Sequence, residues 1–492
     1  MLFTTAVFTL LYLPVALAGF FAIARFSTKT AAAWLFAASV FFYGYWMPEF
    51  TVLLLGSICG NYFIGLRIGR SRRIQAKRWL IIGVATNLLL LAYFKYANFF
   101  VDNLSIVLGI DWDIGRILLP IGISFFTFTQ IAFLADAYQK GTTEYQFAHY
   151  GLFVTYFPHL IAGPVLHHAQ MMPQFGDART YHWNSANIAG GLAIFAIGLF
   201  KKIILADGIS PYADAIFQPA DAGLVPDLHE AWLGALAYTF QLYFDFSGYS
   251  DMAIGLSWLF NIRLPFNFNS PYKAVNISDF WRRWHISLST FLRDYLYIAL
   301  GGNRHGPLRR YINLGITMLL GGLWHGASWS FVFWGGLHGV LLVINHGFHA
   351  ACGAARLEYL GNSRIFRFLS WALTMLSVII AWLFFRAESF DGAVRMLQGL
   401  VGMNDPAPTG MHSLLWNAGL QLDAGYIWCA MLGGVAFMLP NSNRIGSSIL
   451  ELARNHRTAR GWIGGAALTA SFLLVMINTA RDSVSAFIYF NF

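Results

Sequence analysis

The chain has 492 residues, 57% of them hydrophobic and only 11% charged, with a formal net charge of +9, whereas soluble domains carry roughly a quarter charged residues. That balance excludes an ordinary soluble protein and predicts an all-α, polytopic integral membrane protein. Its basic residues collect in short loops between apolar runs, so the positive charge reads as membrane topology and not as nucleic-acid binding.

At about 20 apolar residues per crossing, roughly eleven spans or buried hydrophobic segments centre near 4–24, 30–48, 50–66, 79–94, 116–137, 184–205, 229–260, 311–326, 327–345, 366–386 and 461–480. Shorter or interrupted stretches at 95–109, 150–165, 287–300 and 424–440 read as re-entrant or interfacial, which lipid accommodates only where protein buries the broken backbone. The first run reads as a retained span, because Met1–Thr5 carry none of the basic residues that open a signal peptide. Arg67, Arg70, Arg72, Arg73, Lys77 and Arg78 fall after the third run, and the positive-inside rule puts that loop in the cytoplasm. Counting back three spans places the N-terminus outside, in the periplasm if the membrane is a bacterial inner membrane. Arg304, Arg309 and Arg310, with His305 among them, form a second basic turn. On the cytoplasmic side, that turn would make the region from Arg282 to Arg310 face the compartment that holds coenzyme A thioesters.

Lys95 interrupts an aromatic run at 87–100 and reads as a lysine snorkelling from a helix end. Residues 116–138 carry Pro120, Gly122, Ser124, Thr127, Thr129 and Gln130, small and polar groups suited to helix packing. Residues 158–175 hold three prolines and three histidines (His159, His167 and His168), too broken for a span and without the Cys, Asp or Glu that would complete a metal site. Lys201 and Lys202 sit within an apolar run, where two readings fit: reach to a headgroup layer near a helix end, or anion contacts in a cavity. Asp245 and Asp251 lie six residues apart in an aromatic helix and so on different faces. They read as structural carboxylates in need of partners, for which Arg263, Arg282, Arg283 and Arg293 are available in sequence. The three cysteines, Cys59, Cys352 and Cys429, are too far apart for a ligand or redox spacing and read as bystander thiols.

Two pieces carry the chemistry. In 279–294, Trp281, Arg282, Arg283, Trp284 and His285 precede Arg293 and Asp294, a basic amphipathic helix suited to the membrane surface with its tryptophans in the interface. The arginine pair, with Asn303 and Arg304 in the following GGNRHG turn, fits either an interfacial anchor or phosphate contacts. In 319–339, His325 lies among Gly321, Gly322 and Gly326 and beside Trp324 and Trp329. An ionisable side chain in such surroundings is a functional-site hypothesis. A neutral imidazole there accepts a proton from a hydroxyl; the alternative is a core histidine bonded to a backbone carbonyl. Ser328 has no visible orienting group for a nucleophile, and His338, His346 and His349 read as helix-face or loop histidines.

WRRWHISLSTFLRDYLYIALGGNR (281–304) and GGLWHGASWSFVFWGGLHG (321–339) resemble the membrane-bound O-acyltransferases, and within them the membrane subunits of bacterial alginate O-acetylation. YFDFSGYSDMAIG (243–255), PHLIAGPV (158–165), AYFKYANFF (92–100), AWLFFRAESF (381–390) and FIYFNF (487–492) are similar to the same branch, while 401–460 shows no family motif. Ala299 stands where the branch pattern has proline. The resemblance implies a single transmembrane domain over 1–492, its motif-rich core at about 116–390, built as a helical bundle around a central catalytic cavity. It implies that His325 is the essential histidine and His285 the second active-site position. Trp281, Arg282, Arg283, Trp284, Asn303, Arg304 and Trp324 are the donor-binding candidates. It further implies no permanently bound cofactor and no metal, acetyl-coenzyme A as the donor, and an exported polysaccharide as acceptor, reached directly or through a periplasmic partner protein. D-alanyl transfer to teichoic acid is the rival within the family. A transporter is the rival outside it, although the halves show no internal repeat.

The topology has a direct check. In a cysteine-free background, a cysteine at position 72 should react with an impermeant thiol reagent only from the cytoplasmic side; modification from outside would invert this orientation.

Overall fold

A computed structural model of the chain describes residues 1–141, 146–161, 163–355, 363–403, 413–481 and 487–488. Residues 489–492 of the terminal motif, 404–412 of the segment without a family motif, and residue 162 of PHLIAGPV lie outside the described residues. Helices are the only regular elements among the described residues. Seven are long and apolar enough to cross a membrane: Val7–Ala24, Pro48–Arg70, Arg73–Leu108, Ser185–Asp221, Trp329–Ala354, Arg364–Arg386 and Arg457–Thr479. The number becomes eight if Leu422–Met438 and Ser442–Asn455 make one broken span.

Of the roughly eleven expected spans or buried hydrophobic segments, several are of the second kind, because an apolar run is also what the inside of a protein demands. The run at 229–260 is a helix buried along nearly its whole length from Glu230 onward. The run at 116–137 begins its helix only at Ile123, after Gly122 in the left-handed region (φ 73°), and most of that helix is buried.

The chain divides into two compact units. Among the described residues the first comprises Met1–Leu199, Gly248–Phe266 and those after Asn441; the second comprises Phe200–Ser247 and Asn267–Asn441.

In the first unit, α1 (Leu13–Ala24) and α2 (Thr28–Trp46) form an antiparallel hairpin. Tyr12 Oη donates to the Ala38 carbonyl at 2.9 Å and Trp34 Nε1 to the Ala16 carbonyl at 3.1 Å, contacts whose numbering runs in opposite directions. α3 (Pro48–Arg70) and α4 (Arg73–Leu91) exchange side-chain amides, Asn87 Nδ2 donating to Asn61 Oδ1 at 2.6 Å and Asn61 Nδ2 returning to Asn87 Oδ1 at 3.3 Å. Interhelical bonds of this kind contribute about 0.6–2 kcal/mol each in a membrane. α5 (Ile123–Lys140) bonds to α3 through Gln130 Nε2 to Ser57 Oγ at 2.9 Å. Lys95 Nζ donates to Ser124 Oγ, 3.4 Å away, so this lysine reaches a protein partner inside the unit.

In the second unit the Asp245 carboxylate is 2.5 Å from Lys202 Nζ, which also meets Asp207 at 2.8 Å. This corrects the expected arginine partners: Arg283 pairs with Asp279 at 2.9 Å and Arg293 with Asp294 at 2.7 Å. Of the two readings of Lys202, it supports contact with anionic groups, here the two buried carboxylates of Asp207 and Asp245. In the first unit, Asp251 accepts from Ser442 Oγ at 3.1 Å. Buried charges are held only where such partners replace water.

Candidate active site

The expected helix over 279–294 is interrupted, and the interruption places His285. Following α6 (Ser185–Phe200) and α7 (Leu228–Leu259), helix α8 (Ile277–Arg283) starts from Asn276, whose Oδ1 accepts from the Asp279 amide at 2.8 Å. Trp284 is extended, His285 adopts φ 43°, ψ 54°, and α9 (Ile286–Phe291) then begins. A residue with a Cβ in the left-handed region costs roughly 1–3 kcal/mol and persists only where its surroundings over-determine it. The segment starting at Asn267 does so. The Asn269 amide donates to the Arg283 carbonyl at 2.9 Å and the Ile286 amide to the Asn267 carbonyl at 2.9 Å. Asn267 Oδ1 also accepts from Ser287 Oγ at 2.6 Å. The backbone is pinned on both sides of His285. Sequence reasoning did not find Asn267; its signal was an asparagine-rich irregular stretch between two apolar helices.

His285 is fully buried, its ring centroid 4.7 Å from that of Phe246 and 6.2 Å from that of Trp324. Trp284, expected at the membrane interface, lies in the core instead, at 5.1 Å from Phe268, 5.7 Å from Phe280 and 5.0 Å from Trp382. The break explains this, since an extended residue between two short helices points away from their polar faces.

His325 is the last residue of α10 (Gly306–His325), and α11 (Trp329–Ala354) returns antiparallel to it. Two glycines permit the approach. A Cβ on Gly322 would meet the Phe331 carbonyl and lie 3.0 Å from the Gly335 Cα, and one on Gly326 would enter the Phe331 ring. Ser328 caps α11 by accepting from the Phe331 amide at 3.4 Å, a structural use of its hydroxyl. His325, 4% exposed, has ring centroids of Trp324, Phe385 and Trp334 at 4.9, 5.0 and 5.1 Å. Trp324 therefore touches both histidines that sequence reasoning singled out.

His338 was expected to be a helix-face histidine; it is fully buried in this aromatic cluster. Its ring centroid is 4.8 Å from Trp334, which also packs on His325, and its Nδ1 accepts from Trp281 Nε1 at 3.3 Å. That bond puts the His338 proton on Nε2. The available signal was spacing: Trp334 and His338 are four residues apart, one helical turn.

The remaining candidates differ in what they offer. Arg282 is exposed, whereas Arg283 is half-buried in its ion pair with Asp279. Asn303 and Arg304 are exposed in a turn whose Gly301, Gly302 and Gly306 have φ of 108°, 54° and 83°, and Asn303 accepts from the Tyr297 hydroxyl. The buried Asn313 fixes that turn by donating to the Gly302 carbonyl at 3.1 Å. Among the described residues no group of three His, Cys, Asp or Glu is placed to hold a metal ion.

Residues 110–381 match the profile of MBOAT, the membrane-bound O-acyltransferase family. The chain is 39% identical to the peptidoglycan O-acetyltransferase of Helicobacter pylori, covering 100% of this chain and 98% of that protein. It is 45% identical to the probable alginate O-acetylase AlgI of Azotobacter vinelandii, over 82% of this chain and 79% of that one. The teichoic acid D-alanyltransferase of Bacillus subtilis is 28% identical over 55% of this chain and 69% of its own. The chain belongs to the membrane-bound O-acyltransferase family. It is a multi-pass membrane O-acyltransferase.

The hairpin that carries His325 tests the packing directly. Gly315 and Gly322 share α10, but a Cβ at Gly315 meets nothing within 4 Å. Gly315→Ala should leave stability unchanged or raise it by up to about 1 kcal/mol through helix propensity. Gly322→Ala should lose about 1–3 kcal/mol by overpacking, together with acyl transfer. Thermal unfolding of both variants in one detergent decides it; equal effects would refute the close contact.

Proposed function

We propose that this enzyme transfers an acetyl group from acetyl-coenzyme A on the cytoplasmic side of a bacterial inner membrane to a carbohydrate hydroxyl of an exported polymer. Transfer runs directly or through a periplasmic acetyltransferase partner. The observation that carries this reading is the pair of buried imidazoles, His285 and His325, packed against one indole in an otherwise apolar cluster. Such a setting excludes the bulk water that would hydrolyse a thioester.

In the step proposed, His325 takes the proton of the acceptor hydroxyl as its oxygen attacks the thioester carbonyl. The tetrahedral intermediate collapses with cleavage of the carbon–sulfur bond, and the imidazolium returns its proton to the departing thiolate. An ester and free coenzyme A result. His285, held rigidly by the Asn267 clamp, orients donor or acceptor by hydrogen bonding. Trp324 walls the two imidazoles, and Trp281 positions His338. The exposed Arg282, Asn303 and Arg304 are the groups available to donor phosphates; Arg283 contributes through its pair with Asp279, and Trp284 through packing. Asp245 and Asp251 serve as structural carboxylates.

Alginate is one acceptor that relatives suggest. Peptidoglycan is a second, favoured by the full-length coverage of the Helicobacter pylori relative, which includes the segment without a motif at 401–460. Relatives named for D-alanyl transfer match about half of this chain, which supports acetyl over D-alanyl as the group moved.

Labelled acetyl-coenzyme A with purified protein and acceptor tests the roles. His325→Ala should fold and bind donor yet lose about 10²–10⁴-fold in transfer rate, the usual worth of a general base. Asparagine keeps a hydrogen bond but accepts no proton at neutral pH, so His285→Asn should retain partial activity and His325→Asn none. The reverse order would assign the base to His285; full activity in both would remove the mechanism.

A further inference from the structure

The second unit contains a cleft of about 480 Å³ lined by Lys273, Arg364, Arg367, Phe368, Trp371 and Phe437 among others. Two of its cations and two of its aromatics follow one another along one helix. α12 (Arg364–Arg386) is one of the membrane-crossing helices, and its first turn supplies Arg364 and Arg367. Phe368 and Trp371 follow four residues after each, on the same helical face and one turn deeper. Lys273 brings a third cation from a separate element, the short turn Pro271–Lys273, its Nζ fixed by the Leu439 carbonyl at 2.9 Å. The Trp371 indole is fixed as well, donating to the Tyr272 carbonyl at 2.8 Å. Among the described residues neither Arg364 nor Arg367 forms an ion pair with an acidic side chain.

The sidedness follows from chain direction. α10 leaves the glycine turn at 301–306, α11 returns antiparallel to it, and α12 starts after α11 ends. The cleft mouth therefore shares a membrane face with the basic turn containing Arg304. Two arginines in the first turn of α12, with Lys273 nearby, and the rings of Phe368, Trp371 and Phe437 along the same cleft match an amphiphile that carries phosphate at one end and hydrocarbon at the other.

We infer that the cleft binds an anionic phospholipid of the leaflet in which α12 begins, its phosphate on Lys273, Arg364 and Arg367 and its chains against Phe368, Trp371 and Phe437. A phosphate of the same chemistry is present on coenzyme A, so the test separates the two sources. The full chain is reconstituted in bilayers of equal phosphatidylglycerol and phosphatidylcholine, and the lipid retained on the extracted protein is measured by native mass spectrometry. Phosphatidylglycerol should be retained preferentially, and Arg364→Gln/Arg367→Gln should reduce that preference about tenfold, whereas Arg282→Gln should leave it intact. Thermal unfolding in phosphatidylcholine alone should be the same for both variants and the unmodified chain, which separates lost binding from lost folding. No preference for phosphatidylglycerol, an unchanged preference in the double variant, or displacement of the lipid by coenzyme A would each overturn the assignment. Acyl transfer is not the readout, so loss of the lipid site leaves the proposed reaction standing.

Discussion

A left-handed residue without glycine's freedom sits at the centre of this site, and the hydrogen bonds from Asn267 and Asn269 that hold it are what the rest depends on. Those bonds reach the Arg283 carbonyl, the Ile286 amide and the Ser287 hydroxyl, spanning His285 on both sides. Their consequence is directional. Trp284 turns into the aromatic core, His285 turns toward Phe246 and Trp324, and Arg282 is left at the surface. A continuous helix over the same residues would put Arg282 and His285, three positions apart, on one face, where burying the histidine would bury the arginine as well.

The second constraint is the contact of two glycine-bearing helices. Gly322 and Gly335 let α10 and α11 approach until backbone meets backbone, and the turn between them follows His325 directly. Trp334 then packs on both His325 and His338, and Trp281 bonds His338 to α8. The bond from Trp281 and the one from Asn345 Nδ2 to Ser278 Oγ at 2.9 Å tie α8, which leads into His285, to α11, which packs on His325. Each imidazole is held by a different backbone device, and one aromatic cluster fixes them against each other.

Much of this was legible in the sequence. Composition showed the membrane class, and the spacing of Gly322, His325 and Gly326 indicated a close helix contact beside an ionisable group. What was not legible depended on contacts distant along the chain. The partner of Asp245 is Lys202, 43 positions earlier, and proximity in sequence pointed to arginines that pair locally with Asp279 and Asp294. The aromatic–basic pattern of 279–294 fits a surface helix until the left-handed residue breaks it, and no residue type there announces the break, since glycine is absent. Hydrophobic runs at 116–137 and 229–260 read equally as spans or as buried segments because burial in protein and burial in lipid select the same side chains.

The central claim is that one buried site joins a donor on the cytoplasmic face to an acceptor on the other. It is tested most directly in proteoliposomes of uniform orientation, with labelled acetyl-coenzyme A confined to the cytoplasmic-face compartment and the carbohydrate acceptor confined to the opposite one, with and without a periplasmic extract. Labelled ester should accumulate on the acceptor while free coenzyme A accumulates with the donor. Ester formation only when donor and acceptor share a compartment, or coenzyme A crossing with the label, would contradict it.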